Sequence, residues 1–283
     1  MTDFARAAHE SETPTDEPEG ALVYRQSIWT RLTHWVWALA LFFLLLTGLN
    51  IFNAHPTLYV GQQSGFAFDN AVLAIGTERS ADGLKGYLAV FGHRFDTTGV
   101  LGVAVHDGRT EVRAFPAWMT IPSYYDLASA RVFHFFFAWI LAGTLLVWLV
   151  ASIVNGHLRR DIAPRGSDLR ALPQDVADHA RLRFRHGRTY NPLQKLSYAA
   201  ILLVLFPLII LSGLAMSPSF NAVVPFIHDL FGGRQTARTV HFATMVLLVL
   251  FFVVHVLMVV AAGPFNEMRS MITGWYRTGR NAR

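Results

Sequence analysis

None of the 283 residues is a cysteine. That one absence excludes disulfides, thiolate-held iron–sulfur clusters, covalently attached c-type haem and a cysteine nucleophile. Charge is scarce as well. Asp, Glu, Lys and Arg make up 15% of the chain, against about 25% in ordinary soluble domains. The start of the chain lacks the basic opening of a secretory signal and carries Asp3, Glu10, Glu12, Asp16, Glu17 and Glu19 instead. Residues 1–24 are therefore expected to form a disordered cytoplasmic tail.

What the chain has in abundance is apolar sequence: 53% hydrophobic residues and a mean hydropathy of +0.34. These residues gather into four runs, about 32–52, 128–154, 196–216 and 240–262. Each is about the 20 residues that a helix needs to cross a bilayer core. The expected fold class is an all-α membrane protein, a bundle of four transmembrane helices. The sequence pI of about 9.8 does not point to nucleic acid, because the basic residues have a topological use. Nine Lys or Arg fall in 155–195 and four in 263–283, but only five in the much longer 53–127. The positive-inside rule then places both termini and the 155–195 loop in the cytoplasm, and the 53–127 and 217–239 segments in the periplasm of a bacterial inner membrane.

A connection as long as 53–127 is uncommon unless it has a task. It contains HPTLYVGQQSGF, read as a hairpin or short helix, and ends in FPAWMTIPSYYDL, where Trp118, Tyr124 and Tyr125 suit an interfacial aromatic belt. Two roles are open for it: a cap over the helix ends, or a docking surface for a periplasmic redox protein.

Four histidines lie inside the apolar runs: His34, His134, His241 and His255. An ionisable residue at that depth is costly and usually faces the bundle interior for a functional reason. His241 and His255 share the fourth run, 14 residues apart. That interval is about 40° short of four full turns with a rise of ~21 Å, so both rings leave one face near opposite ends. The topology sets His34 level with His255 on the cytoplasmic side and His134 level with His241 on the periplasmic side. Two pairs at two depths are what two stacked bis-histidine haems require, with one imidazole on each side of each iron. Arg31, Arg131 and Arg238 each precede a histidine by three residues, in TRLTHW, ARVFHF and ARTVHF. The spacing puts each arginine on the histidine's face, one turn nearer the surface, where it can bind a haem propionate. The short echoes LTGL (46–49) and LSGL (211–214), with the paired ARxxHF openings, suggest two related helix hairpins.

With His34, His134, His241 and His255 in that order, the chain resembles the bacterial cytochrome b561 and nickel–iron-hydrogenase b-type cytochrome group. That group includes the membrane subunits of formate dehydrogenase and thiosulfate reductase. The likeness covers about 30–58 and 128–275, and its most specific element is the 14-residue interval. It implies a di-haem membrane domain over 25–283, with His34 and His255 on one haem b iron and His134 and His241 on the other. The 53–127 insertion departs from the shortest members and is similar to cytochromes that serve periplasmic molybdopterin oxidoreductases. The stretch YNPLQK (190–195) resembles a YNxxQK sequence bordering the quinone in formate dehydrogenase membrane subunits. Asn191 and Gln194 then serve as candidate hydrogen-bond partners of a quinone carbonyl, ubiquinone or menaquinone, and Lys195 as a charge stabiliser; a helix cap and an interfacial anchor explain them equally.

The resulting expectation is a di-haem cytochrome that carries electrons between the quinone pool and a periplasmic redox partner. Three other readings stay open: a self-sufficient superoxide:quinone oxidoreductase of the same fold, a hydrogenase or dehydrogenase cytochrome b subunit, and a non-redox helical anchor or transporter with histidines as proton relays.

Overall fold

The structure, a computed structural model, describes residues 20–81, 83–106, 108–181 and 191–277. Strand β1 (Leu22–Tyr24) leads into helix α1 (Ile28–Phe52). Six strands follow: β2 (Thr57–Tyr59), β3 (Ala71–Ser80), β4 (Gly83–Val90), β5 (His93–Asp96), β6 (Gly102–His106) and β7 (Arg109–Arg113). Then come α2 (Leu127–Val154), α3 (Gly166–Ala180), α4 (Pro192–Met216), α5 (Arg234–Ala262), α6 (Pro264–Thr273) and β8 (Trp275–Arg277). Helices α1, α2, α4 and α5 are long and apolar enough to cross a membrane, and they contain the four runs expected at 32–52, 128–154, 196–216 and 240–262.

Local chemistry sets where the long helices begin. The Ser27 hydroxyl accepts from the amide of Thr30 at the start of α1, and the Asp126 carboxylate accepts from the amide of Ser129 at the start of α2. Helix α4 starts with Pro192 in its first turn and a reciprocal cap between Asn191 and Gln194. It loosens to π geometry over Ala200–Leu205 just before Pro207, the residue that has no amide to give the helix ladder.

Helix α1 packs on α2, and α4 on α5. Ala40, Leu141, Leu145, Ile201, Phe206 and Leu248 join all four helices in one buried cluster. Trp37 donates its indole N–H to Thr144 Oγ1 at 2.9 Å across the α1–α2 seam. Outward, the helices present apolar surface: only 6% of the most apolar window of α5 is buried by protein. A rim of that kind suits lipid, where the helix satisfies its own backbone.

The expectation of an all-α fold is corrected at the 53–127 segment, which is antiparallel β. Strands β2, β3, β4 and β5 pair in that order, and β6 pairs with β7 as a separate hairpin. The hairpin chemistry lies in the sequence. An Asp-Gly pair stands at 107–108, between His106 and Arg109, which face each other, and such pairs favour tight two-residue turns; Gly83, at positive φ, pairs with Ser80 where β3 turns into β4. Phe91 and Gly92, both at positive φ, join β4 to β5 where Val90 faces His93. The reading of HPTLYVGQQSGF as a hairpin or short helix is replaced by β2 and a run of bends after it.

This sheet sits directly on the ends of α1 and α5. Asn53, just past α1, accepts from the amide of Phe115 at 2.7 Å and donates to its carbonyl at 3.0 Å. Asn50 donates to the carbonyls of Pro122 and Tyr124. From α5, Thr239 donates to the Tyr59 carbonyl at 2.7 Å, and Thr236 accepts from the amide of Gly61 at 2.7 Å. Leu49, Phe52, Leu58, Ile75, Ala114 and Phe115 close the apolar space beneath. The strand-bearing end is called the sheet side below.

At the opposite, terminal side, β1 pairs antiparallel with β8. Tyr24 meets Trp275 edge-on at 5.4 Å, and Arg25 lies 3.8 Å from Glu267. The disordered tail expected over 1–24 therefore does not extend through Leu22–Tyr24, which form a strand; residues 1–19 lie outside the described residues.

Asn53→Leu tests the sheet's attachment. It leaves the amide and carbonyl of Phe115 without partners, at a cost of about 1–3 kcal/mol. The expected outcome is faster amide exchange over 102–119 with unchanged protection in α1 and α2, measured by hydrogen exchange in detergent.

Candidate functional site

The four histidines of the apolar runs meet in two pairs. On the terminal side His34 of α1 faces His255 of α5, with ring centroids 6.3 Å apart and planes tilted by 53°. On the sheet side His134 of α2 faces His241 of α5 at 6.4 Å and 58°. Helix α5 supplies one ring to each pair, as its 14-residue interval requires. Both separations suit an ion held between two imidazoles. Metal–nitrogen bonds of about 2 Å on each side, plus the reach from nitrogen to ring centre, span roughly 6 Å. Among the described residues no group of three or more His, Cys, Asp and Glu could hold a metal. Each pair thus offers two ligands on opposite sides, the donor set of a bis-histidine haem.

The hydrogen bonds behind the sheet-side rings decide which nitrogen is available. The Thr47 hydroxyl donates to the Phe43 carbonyl at 2.5 Å, so its oxygen accepts from His134 Nδ1 at 3.1 Å. The Ser212 hydroxyl donates to the Leu208 carbonyl at 2.7 Å and in the same way accepts from His241 Nδ1 at 3.1 Å. His241 Nδ1 also lies 2.9 Å from the Ile209 carbonyl, which can only accept. Both rings therefore carry their proton on Nδ1 and leave the Nε2 lone pair for a ligand, the arrangement usual behind metal-bound histidine. Thr47 and Ser212 are both fully buried.

The terminal-side pair is held differently. His34 Nδ1 is buried with no partner. The ring is bordered edge-on by Trp35 at 5.3 Å, and His255 is stacked on Phe251 at 5.6 Å.

The three arginines lie on the expected faces, with different contacts. Arg31 donates from Nη1 to the Ile272 carbonyl, and its Nε is buried without a partner. That is a donor facing no acceptor, as a site for a carboxylate needs. Arg238 donates to the carbonyls of Thr57 and His55 and covers the Phe52 ring at 5.4 Å. Arg131 is exposed, with its guanidinium over the ring of Phe135 at 5.7 Å. Beside Arg238, His55 stacks on Tyr59; partial burial and then the arginine charge hold its pKa below the ordinary histidine value.

The residues expected around a quinone sit together at the start of α4. Asn191 Oδ1 accepts from the amide of Gln194 at 2.8 Å, and Gln194 Oε1 accepts from the amide of Asn191 at 3.3 Å. Lys195 Nζ lies 3.3 Å from Asp168 of α3. These contacts are a helix cap and an interfacial ion pair, the structural alternative for the three residues. The cap uses only the two amide oxygens.

Sequence reasoning did not assign a role to Thr47, Gly48, Ser212 and Gly213. The signal was present, because these residues are the TG of LTGL and the SG of LSGL. A Cβ on Gly48 would stand 3.2 Å from His134 Cε1, and one on Gly213 would stand 3.3 Å from His241 Cε1. The two echoes and the two ARxxHF openings are thus the two halves of one contact, made twice.

Comparison with known proteins gives the family of the chain. A family model described as prokaryotic cytochrome b561 matches residues 25–274. A relative from Azospira oryzae, named "Putative protein-methionine-sulfoxide reductase subunit YedZ1", is 27% identical over 233 residues, covering 82% of this chain and 87% of the relative. No solved structure matches the chain. The family match takes in all four apolar helices, both histidine pairs and the strands between α1 and α2, and the chain belongs to the prokaryotic cytochrome b561 family.

Proposed function

We propose that this chain carries electrons across the inner membrane between the quinone pool and a periplasmic oxidoreductase, by way of two b haems. Its family makes it a b-haem membrane electron-transfer subunit; the haem number, their placement and the partner are the further reading. The observation that carries it is the pair of imidazole separations, 6.3 and 6.4 Å, at the two ends of one bundle. In this reading His34 and His255 would hold one haem iron on the terminal side, and His134 and His241 would hold the other on the sheet side. Arg31, Arg131 and Arg238, each a turn nearer the surface, would face the propionates, and Arg31, whose buried Nε has no partner, is the best placed of the three. Haem b, when bound, supplies a one-electron couple tuned by axial ligands and burial.

The basic residues of 155–195 put the terminal side in the cytoplasm. Quinone is taken up there, at the membrane face beside the His34–His255 pair. The amide NH2 groups of Asn191 and Gln194 donate to its carbonyl oxygen, and Lys195 favours the reduced, more negative form. On the periplasmic side the sheet of 53–127 receives the partner. A molybdopterin enzyme fits the role, and the name of the Azospira relative makes protein methionine sulfoxide its first candidate substrate. The balance closes: reducing a sulfoxide to thioether and water takes two electrons and two protons, and oxidising a quinol to quinone releases the same.

Two measurements test this reading. Detergent-purified chain, expressed with haem supplied, should carry two b haems per polypeptide by pyridine haemochrome assay. His34→Ala and His255→Ala should each remove one and the same haem, and His134→Ala and His241→Ala the other. A single substitution that empties both sites in a folded chain contradicts the pairing. Gln194→Glu tests the quinone contact, since glutamate keeps the reciprocal cap but has no NH2 group. Quinol-driven haem reduction should slow roughly fivefold, the loss of one hydrogen bond, at unchanged thermal stability. An unchanged rate moves the quinone away from this residue.

A further inference from the structure

The sheet-side pair is built by one device used twice, and the terminal-side pair lacks it. In α1 the sequence Thr47-Gly48 faces His134 of the next long helix. In α4 the sequence Ser212-Gly213 faces His241 of the helix that follows. Each hydroxyl is fully buried, donates to the carbonyl four residues earlier, and stands 3.1 Å from Nδ1 of the facing ring. Each glycine leaves the space that the Cε1 edge of the same ring occupies, where a methyl would approach to 3.2 or 3.3 Å. The hydroxyl therefore fixes the tautomer and rotation of the ring, and the glycine fixes how close the ring lies to the supporting helix. On the terminal side, by contrast, His34 Nδ1 has no partner.

We propose that Thr47-Gly48 and Ser212-Gly213 are paired positioning elements that set the potential of the sheet-side haem alone. The proposal rests on the haem pairing given above and adds an asymmetry that the pairing does not contain. Its physical basis is the effect of a hydrogen bond on ligand strength. A ring that donates its Nδ1 proton to an acceptor gains anionic character, and Nε2 becomes the stronger donor. A stronger donor stabilises the ferric ion more than the ferrous one. The Thr47 and Ser212 oxygens thus hold the sheet-side potential lower than the same two histidines would without them. With two independent supports, loss of one leaves the ring on the other side of the iron still oriented.

The test is a redox titration of the purified full-length chain, followed optically and by low-temperature electron paramagnetic resonance. The unmodified chain must first resolve two b haems; a chain with none overturns the pairing itself. In Thr47→Val/Ser212→Ala, the haem that is missing from His241→Ala should shift upward in potential. A shift equivalent to about a tenfold change in ferrous-to-ferric ratio is expected, ~59 mV for one electron. The other haem should not move. Thr47→Ser/Ser212→Thr keeps both hydroxyls and should keep both potentials, which separates hydrogen bonding from packing. Selective loss of the sheet-side haem in the double variant, with retention in the hydroxyl-keeping one, supports the same assignment. Gly48→Ala/Gly213→Ala, with the hydroxyls intact, should lower occupancy of that haem only. Two haems that ignore the hydroxyls, or that shift equally, overturn the positioning role and leave the pairing standing.

Discussion

A bilayer core offers no water, so an imidazole inside it needs a partner from the protein or from something the protein holds. This constraint orders the rest of the bundle. On the sheet side one nitrogen of each ring is satisfied from behind, by a buried hydroxyl on the neighbouring helix, and the other is left without a hydrogen-bond duty there. The short side chains that give this support, Thr47 and Ser212, return their own protons to their helices' carbonyls. Every proton in that chain is thereby given to an acceptor, and what remains unused is the Nε2 lone pair of each ring. Four histidines at two depths would be a liability in a helical anchor, and here they face one another in two pairs.

Helix α5 connects the two depths. Because it supplies one ring to each pair, the distance between the sites is set by the rise of a single helix, ~21 Å over 14 residues. Helices α1 and α2 then each need only one histidine, at opposite ends, and α4 needs none. Its contribution is support: Ser212 and Gly213 behind His241, as Thr47 and Gly48 stand behind His134. The hairpins α1–α2 and α4–α5 follow the same plan up to this contact. They part company at the terminal side, where α1 carries His34 and α4 carries the capped entry at Asn191.

The bundle was legible in the sequence because membrane crossing imposes length and apolarity on every span, and because a histidine among such residues stands out. The depth of each histidine followed from span order, and the pairing from depth. The sheet of 53–127 was harder to read. Its two longest strands, β3 and β4, are mostly half-buried, with the core shared between strand residues such as Leu58 and Ile75 and helix residues such as Leu49 and Phe52. Alternation is therefore incomplete in any one strand. The strand at Leu22–Tyr24 was invisible for a different reason: its partner, Trp275–Arg277, lies at the other end of the chain. The LTGL and LSGL echoes were seen, but a threonine or serine in an apolar helix reads as a small packing residue until the ring it faces is known.

The space between the two pairs distinguishes electron transfer from proton transfer. A relay of protons from His241 to His255 needs a chain of hydrogen-bonding groups or waters along the intervening turns of α5 and its neighbours. What fills that depth is Ala40, Leu141, Leu145, Ile201, Phe206 and Leu248, with Trp37, Phe137 and Phe251 packed against them. The polar link seen there, Trp37 to Thr144, satisfies the indole N–H, while the Thr144 hydroxyl returns its proton to the Ile140 carbonyl. Among the described residues, then, the centre of the bundle is an apolar plug with a histidine pair on either side of it, and the buried Thr244 hydroxyl on α5 returns its proton to the Val240 carbonyl. A plug of that composition resists the passage of ions and protons, whose transfer into a low-dielectric medium is costly. It presents no such barrier to an electron moving between fixed centres, because no hydrated ion has to enter the plug. Apolar packing between the pairs and polar support behind the sheet-side rings fit the b-haem electron-transfer role of the family better than they fit a relay of protons.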